Sequence, residues 1–141
     1  MYDFIFLFII FILVIVLFIY YEKKNNGLIY VKSSLDNKEY LVRNVDDKQD
    51  AADLLADIKE KISKLLIHMQ ATYPSDPRVK RLVKKYNPNN ISESIEGSKY
   101  TSYSLNKGEK IVLCLRSKTK EAKLTDINTL MFVLLHELGH I

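Results

Sequence analysis

An unbroken apolar run fills most of the first 21 residues of the chain. Residues 4–19 are sixteen consecutive apolar side chains, and the run reaches eighteen when Tyr20 and Tyr21 are counted. Eighteen residues of α-helix are about 27 Å long, which is close to the thickness of the hydrocarbon core of a bilayer. The pattern predicts a transmembrane helix, and we assign residues 1–24 to a membrane anchor.

The flanks of the run favour a single-pass anchor over a cleavable signal peptide. Tyr2, Tyr20 and Tyr21 suit the two membrane interfaces, whereas a signal peptide would have a basic residue before the run and a small-residue cleavage site after it. Lys23 and Lys24 follow the run and an acidic residue precedes it. By the positive-inside rule, this difference predicts that the rest of the chain faces the cytoplasm.

Past a short linker at residues 25–27, apolar residues recur at helical spacing in three segments. The first covers residues 47–72. The second begins with Asp76 as N-cap and Pro77 at the first helical position, and the third begins after Thr125-Asp126, which can cap it. These segments predict three amphipathic helices. Their apolar positions are Ala51, Leu54, Leu55, Ile58, Ile62, Leu65, Leu66 and Met69; Val79, Leu82, Val83 and Tyr86; and Ile127, Leu130, Met131, Leu134, Leu135, Leu138 and Ile141.

Four strand-like runs accompany the helices. Residues 28–31 and 39–43 flank a turn at residues 35–38, and residues 100–105 and 110–116 flank a turn that contains Gly108. Each pair predicts a β-hairpin. The second strand of the second hairpin is apolar enough to be buried. Together with the helices, these strands predict an α+β fold class.

Charge and cysteine content narrow the classes of function. The chain has 21 Lys and Arg against 17 Asp and Glu, and all of the basic residues follow the apolar run. A net charge of +4 is too small to imply a nucleic acid partner. Because Cys114 is the only cysteine, no disulfide can form within the chain, which suits a reducing compartment.

One face of the second predicted helix is strongly basic. Such a face could contact phosphate groups or an anionic membrane surface. A solvated helix surface accounts for the same pattern more simply, so the partner we expect from these features is the membrane rather than nucleic acid. The basic residues are Arg78, Lys80, Arg81, Lys84 and Lys85.

The last predicted helix carries the pattern H-E-x-x-H at His136, Glu137 and His140. Histidines four positions apart lie on one helix face, about 6 Å apart, so both imidazoles can bind one zinc ion. Zinc lowers the pKa of a bound water to about 7 and polarises a substrate carbonyl. Glu137 would act as the general base. The pattern predicts a zinc-dependent peptidase with Zn²⁺ as cofactor.

Two simpler interpretations compete with the metal site. A pattern with three fixed residues in five positions occurs by chance in many chains. Alternatively, the two histidines and the glutamate could have a structural role. Buried histidine and glutamate on an apolar helix are costly without a metal or polar partners, which favours the metal. His68 could in principle complete the site, but a position at the surface or the edge of the core explains it better.

The strand at residues 110–116 is a candidate for substrate binding. An edge strand can bind an extended peptide through its main chain, by β-augmentation. On this interpretation the residues at the substrate are Ile111, Leu113 and Leu115. A plain core strand fits the apolar pattern equally well.

Several stretches of the soluble part resemble zincin-type metallopeptidases of the WLM and SprT-like kind, in particular small membrane-anchored versions from large DNA viruses. The resemblance implies a compact zincin-like domain over residues 25–141, a zinc ion bound by His136 and His140, and Glu137 as catalytic acid and base. The stretches are Asp47-Lys48-Gln49 with Ala51-Ala52-Asp53-Leu54-Leu55, Asn87-Pro88 with Ile91-Ser92-Glu93-Ser94, Tyr100-Thr101-Ser102-Tyr103-Ser104 with Asn106-Lys107-Gly108-Glu109-Lys110, and Asn128-Thr129-Leu130-Met131.

The resemblance also implies a third zinc-binding histidine beyond the helix, usually followed by an aromatic-rich helix. Ile141 follows His140 directly, so we expect an incomplete domain: a fragment of an active peptidase or, as the alternative, a degenerate relic. A second hypothesis is a catalytically inactive, membrane-tethered interaction module. With two ligands, these 141 residues are expected to bind zinc weakly and to show no turnover.

Overall fold

The computed structural model describes residues 2–25, 27–99 and 101–141, without the side chains of residues 2, 3 and 22–25. The side chains of Tyr2, Lys23 and Lys24, on which the predicted interfaces and orientation of the anchor depend, therefore lie outside the described residues. Asn26 of the predicted linker and Tyr100, where a strand was predicted to begin, also lie outside them.

The described residues form four helices and five strands. All of the predicted helices are present, and the first hairpin has its predicted bounds to within one residue. Asp76 caps α3 as predicted, and of the predicted pair Thr125-Asp126 it is Asp126 that caps α4. The elements are α1 (Tyr2–Asn25), β1 (Leu28–Lys32), β2 (Glu39–Arg43), α2 (Lys48–Thr72), α3 (Pro77–Lys85), β3 (Ile91–Glu93), β4 (Tyr103–Leu105), β5 (Lys110–Leu113) and α4 (Ile127–Gly139).

Helix α1 has the length and composition of a membrane span. Its window Phe4–Tyr21 has a mean hydropathy of 3.2, and none of it is buried against the rest of the protein. The side chains of this window would therefore face lipid if the helix were inserted. An N-terminal signal sequence has the same length and composition, so the anchor and its orientation stay predictions.

The five strands form one mixed sheet in the order β1-β2-β3-β5-β4. β1 with β2 and β4 with β5 are antiparallel hairpins, whereas β3 runs parallel to both β2 and β5. The central strand, β3, was not predicted. Its three residues Ile91, Ser92 and Glu93 are all buried, and three residues are too few to show an alternating pattern.

The structure corrects the predicted position of β5. This strand is paired on both sides, with β3 and β4, so it is an interior strand and not an edge. Ile111, Leu113 and Leu115 are fully buried, which fits the core interpretation of the strand. The prediction that they line an edge for substrate is therefore wrong, because hydrogen bonds to β3 occupy the main chain that an added peptide would use. In the sheet as described, the edges are β1 and β4.

The core lies between the sheet and helices α2 and α4. Leu55, Ile58 and Ile62 of α2 are fully buried, as is Leu134 of α4, and they share one apolar cluster with the inner face of β5. Fully burying a leucine or isoleucine side chain stabilises the fold by about 1.5–3 kcal/mol. This packing holds α4 against α2 and beside β4.

Candidate metal centre

Helix α4 is held at its first turn by side-chain and main-chain hydrogen bonds. Asp126 accepts hydrogen bonds from the backbone N–H of Thr129 (3.0 Å) and from its hydroxyl (2.6 Å). The backbone N–H of Thr125 donates to the carbonyl of Leu115 (2.8 Å), which ties the start of the helix to the chain after β5. The direction of α4 is therefore set by the sheet.

Burial on one side of α4 decides which way the histidines face. Leu130, Leu134 and Leu138 recur every four residues and are buried. His136 is two positions from Leu134, about 200° around a helix with 3.6 residues per turn, so it lies on the opposite face. His136 and His140 are exposed.

The two imidazoles have the spacing that a shared metal requires. Their Nε2 atoms are 3.2 Å apart, and the ring planes meet at 84° with centroids 4.8 Å apart. Two nitrogens bound tetrahedrally to zinc at its usual Zn–N distance are about 3.3 Å apart. The separation of the His136 and His140 Nε2 atoms therefore suits two positions of one zinc ion.

Glu137 lies between the two histidines in sequence and is half-buried on the side of α4 next to them. A side chain directly after the first histidine does not share its helix face, so it does not compete for the same metal position. Proton transfer at a group bound near those imidazoles is the chemistry that this position permits.

The end of α4 packs against the turn between β4 and β5. The backbone N–H of His140 donates to the carbonyl of Glu137 (3.2 Å), so the helix tightens in its last turn. Ile141 follows and packs on Gly108, where an added Cβ would lie 2.5 Å from the Ile141 Cδ1 atom. From the sequence, Gly108 could be identified only as a turn residue, because its contact with Ile141 exists only in the folded chain.

A cavity of about 580 Å³ opens beside the histidine end of α4. It lies between α3 and the ends of α2 and α4, and most of its wall is apolar. Asp76 lines it as well, and hydrogen bonds from the Arg78 side chain lower the pKa of that carboxyl to about 2, so it is charged at neutral pH. The apolar lining residues are Met69, Tyr73, Val79, Leu82, Leu138 and Ile141.

Two protein ligands are fewer than a catalytic zinc site normally has. Among the described residues, no group of three or more His, Cys, Asp or Glu is arranged to hold a metal. His68 is exposed near the end of α2, where its ring lies 3.5 Å from the Thr72 hydroxyl, so it is the surface residue that sequence analysis favoured. Catalytic zinc sites use three protein ligands, and His136 and His140 are two candidates for that role.

Comparison with known proteins shows which family the chain belongs to. The model of the WLM domain matches residues 35–141. The chain belongs to the WLM family. This is a zincin-like family associated with zinc metallopeptidase activity, and the match covers β2 to β5 together with helices α2 to α4. The family therefore includes the helix that carries both histidines.

A viral relative supports the assignment. The chain is 36% identical over 124 residues to "Uncharacterized protein R325" of Acanthamoeba polyphaga mimivirus. The similarity covers 85% of this chain and 62% of the relative, so the chain spans less than two thirds of that protein's length. No solved structure matches the chain.

Proposed function

We propose that this WLM protein is a membrane-anchored, zinc-dependent metallopeptidase that hydrolyses peptide bonds. The observation that carries the proposal is the 3.2 Å separation of the His136 and His140 Nε2 atoms, beside Glu137 and on a helix held by the core. His136 and His140 would bind the zinc ion. A third protein ligand from outside the described residues completes the site in this proposal.

Zinc, when bound, supplies a Lewis acid and a water of lowered pKa. The protein's part is proton transfer and positioning. Glu137 accepts the proton from the attacking water and later delivers it to the leaving amine, so that one carboxylate acts as base and then as acid. A positioned general base of this kind contributes about 10²–10⁴-fold to the rate.

The edge strand β4 is the proposed place of the substrate main chain. It is an edge strand of the sheet as described, and it contacts helix α4. An extended peptide that adds to β4 by β-augmentation would run past the histidines on α4.

Helix α1 sets the proposed location. A single-pass anchor would keep the peptidase domain at the membrane surface, facing the cytoplasm. The substrates proposed are accordingly proteins or peptides near that surface, and the similarity to R325 supports a viral origin. Nucleic acid is not part of the proposal.

Zinc affinity, measured by competition with a chromophoric chelator, tests the metal site. We expect the replacements His136→Ala and His140→Ala each to weaken zinc binding, whereas Glu137→Gln keeps it because the carboxylate is not a ligand. His68→Ala is the matched control, since it removes an exposed histidine from α2. Equal zinc affinity in the wild type, His136→Ala and His140→Ala would overturn the assignment of these ligands.

Activity is assayed on the complete gene product with zinc and an unfolded protein as substrate. The rate of peptide hydrolysis is expected to fall about 10²–10⁴-fold in Glu137→Gln, because this variant lacks the general base. Zinc binding without turnover would instead favour the alternative, a catalytically inactive relic or membrane-tethered interaction module. The observation behind that alternative is that the described residues contain no group of three or more His, Cys, Asp or Glu arranged to hold a metal.

A further inference from the structure

The face of the sheet that points away from the core carries a row of apolar and aromatic side chains. Pairing between the strands sets this row across all five strands, and only one of its members is small and polar. A sheet face that is open to water normally carries polar side chains at these alternating positions. The row is Tyr30, Leu41, Ser92, Val112 and Tyr103.

Further apolar side chains extend this row into a surface that we call the outer face. Leu28 and Leu105 are each two positions from a member of the row, so they lie on the same side of the sheet. Ile95, just past β3, lines a groove of about 410 Å³ together with Leu28 and Tyr30. The exposed fractions are 69% for Tyr30, 45% for Leu105 and 44% for Ile95. The outer face comprises Leu28, Tyr30, Leu41, Ser92, Ile95, Tyr103, Leu105 and Val112.

The chain connection places the outer face beside the proposed membrane span. Helix α1 continues from the end of its apolar window at Tyr21 to Asn25, which adds about 6 Å along the helix axis. Leu28 is three residues further on, a distance of at most about 11 Å. The outer face therefore begins within about 17 Å of the apolar window of α1.

The charged residues at the margins of the outer face suit a layer of lipid headgroups. Lys32 and Lys110 occupy positions on this side of the sheet, and Glu39 pairs opposite Lys32. Arg43 is 3.6 Å from the buried carboxylate of Glu93, which balances its charge. A lysine beside apolar surface can bury its stem and keep its ammonium group in the headgroup layer. The excess of positive charge is small, so apolar contact has to supply most of the binding.

We propose that the outer face rests on the lipid bilayer into which α1 is inserted. This proposal rests on the membrane anchor of the proposed function. Tyr30 and Ile95 enter the boundary between headgroups and acyl chains close to the end of α1, where tyrosine is favoured because its ring is apolar and its hydroxyl is polar. Leu105 makes the same contact on the last strand of the sheet.

This orientation determines what the metal centre can reach. Leu134 of α4 is buried in the core, whereas His136 and His140 are exposed on the opposite face of that helix. The sheet, the core and the width of α4, which is about 10 Å, therefore lie between the histidines and the bilayer. The site opens toward water, so its substrate is a water-exposed segment of a protein and not a membrane span.

Tryptophan fluorescence tests the contact, because the chain has no tryptophan of its own. Single replacements are made in the full chain, which is reconstituted into phosphatidylcholine vesicles with brominated acyl chains that quench tryptophan. We expect Tyr30→Trp and Leu105→Trp each to lose about half of their intensity relative to unbrominated vesicles, since interfacial side chains lie about 5–10 Å into the boundary of headgroups and acyl chains. Both positions are exposed, so the larger ring needs no room in the core.

Tyr73→Trp is the matched control for Tyr30→Trp. Tyr73 is 58% exposed at the end of α2, in the helix layer on the other side of the sheet, so its intensity should be the same in both kinds of vesicle. Quenching of Tyr73→Trp in place of the outer-face variants would put the helix layer on the bilayer and would overturn the proposal.

Leu105→Trp is the decisive variant. Leu105 lies on β4, four strand spacings from β1, which is about 19 Å. If the outer face rests on lipid, this distant position is quenched as well as Tyr30→Trp. Quenching of Tyr30→Trp alone would mean that the chain connection keeps only β1 near the membrane, and it would overturn the proposal.

Leu13→Trp separates this proposal from that of the anchor. Leu13 is in the middle of the apolar window, so its replacement is strongly quenched whenever α1 is inserted. Quenching of Leu13→Trp without quenching of the outer-face variants would overturn the orientation and leave the anchor in place. Unquenched Leu13→Trp would overturn the anchor, and the orientation with it.

Discussion

Among single side chains, Glu93 is the one on which the sheet most depends. It is 1% exposed and accepts hydrogen bonds from the backbone N–H of Arg43 (2.7 Å) and from Arg116 Nε (2.7 Å). Arg43 in turn donates to the carbonyl of Ser94 (2.8 Å). One buried carboxylate thus joins the chain at the carboxyl ends of β2, β3 and β5.

Replacing this carboxylate tests how strongly it holds the sheet. Glu93→Gln leaves the charge of Arg116 buried and unbalanced on one side, so we expect unfolding to be easier by about 3–5 kcal/mol. Urea unfolding of the full chain in micelles measures the change. Glu60→Gln is the control, because the ion pair of Glu60 with Lys64 is exposed. Equal stability of the two variants would show that Glu93 has no special role.

Within the secondary elements, the turn between β4 and β5 positions the end of α4. Gly108 has φ +98° and no room for a Cβ beside Ile141, whereas Gly97 has φ +71° and open space around it. Gly108→Ala and Gly97→Ala therefore share the backbone strain, which costs about 1–3 kcal/mol. Only Gly108→Ala adds a steric clash, which is with the Ile141 side chain.

We expect Gly108→Ala to be the less stable of the two variants and to bind zinc more weakly, because moving Ile141 disturbs His140 next to it. Thermal unfolding and zinc competition, measured side by side on both variants, separate these effects. If Gly97→Ala weakens zinc binding as much as Gly108→Ala, the contact between Gly108 and Ile141 does not position the site.

The helix caps make stability depend on pH in the acid range. Hydrogen bonds from the Arg78 side chain lower the pKa of Asp76 to about 2, and those from Thr129 lower the pKa of Asp126 below its usual value of 3.8. Between about pH 4 and pH 2 the unfolded chain then binds more protons than the folded chain, so stability falls as pH falls.

The variant Asp76→Asn isolates one of these caps. It is expected to be less stable than the wild type at pH 7, where the carboxylate is charged and accepts from Arg78. The difference should shrink as pH falls below about 4 and vanish below the folded pKa of about 2. Chemical unfolding across this range measures it, and a constant difference at every pH would contradict the role assigned to the charge.

Across the complete chain, helix α1 and the core are separate. The side chains of the window Phe4–Tyr21 are exposed, while the buried apolar cluster extends from Tyr40 to Leu138. Membrane insertion can therefore be altered without touching the core. Leu13→Arg puts a charge near the centre of the apolar run, which costs about 2.5–3.5 kcal/mol of insertion free energy.

Extraction of membranes with alkaline carbonate measures the effect. The wild type is expected to stay in the membrane pellet and Leu13→Arg to shift toward the supernatant. Leu35→Arg makes the same replacement in the exposed turn between β1 and β2, so it should behave as the wild type does. Complete extraction of the wild type would contradict the anchor and favour a removed signal sequence.

Local patterns in the sequence were sufficient to predict the helices and the spacing of the candidate ligands. Apolar residues at helical spacing, with Asp76 and Asp126 as caps, specify α3 and α4 because each depends on neighbours a few positions away. The same holds for His136 and His140, since two residues four apart on a helix meet whatever the rest of the fold does.

The arrangement of the sheet depended on contacts between distant parts of the chain, and it could not be predicted. β3 is a strand because β2 and β5 pair with it, and β5 is interior because the chain, after forming β4, returns to lie between β3 and β4. The hydrogen bond from Arg116 to Glu93 and the contact between Gly108 and Ile141 also join residues far apart in sequence. Packing brings such residues together, and no local pattern encodes it.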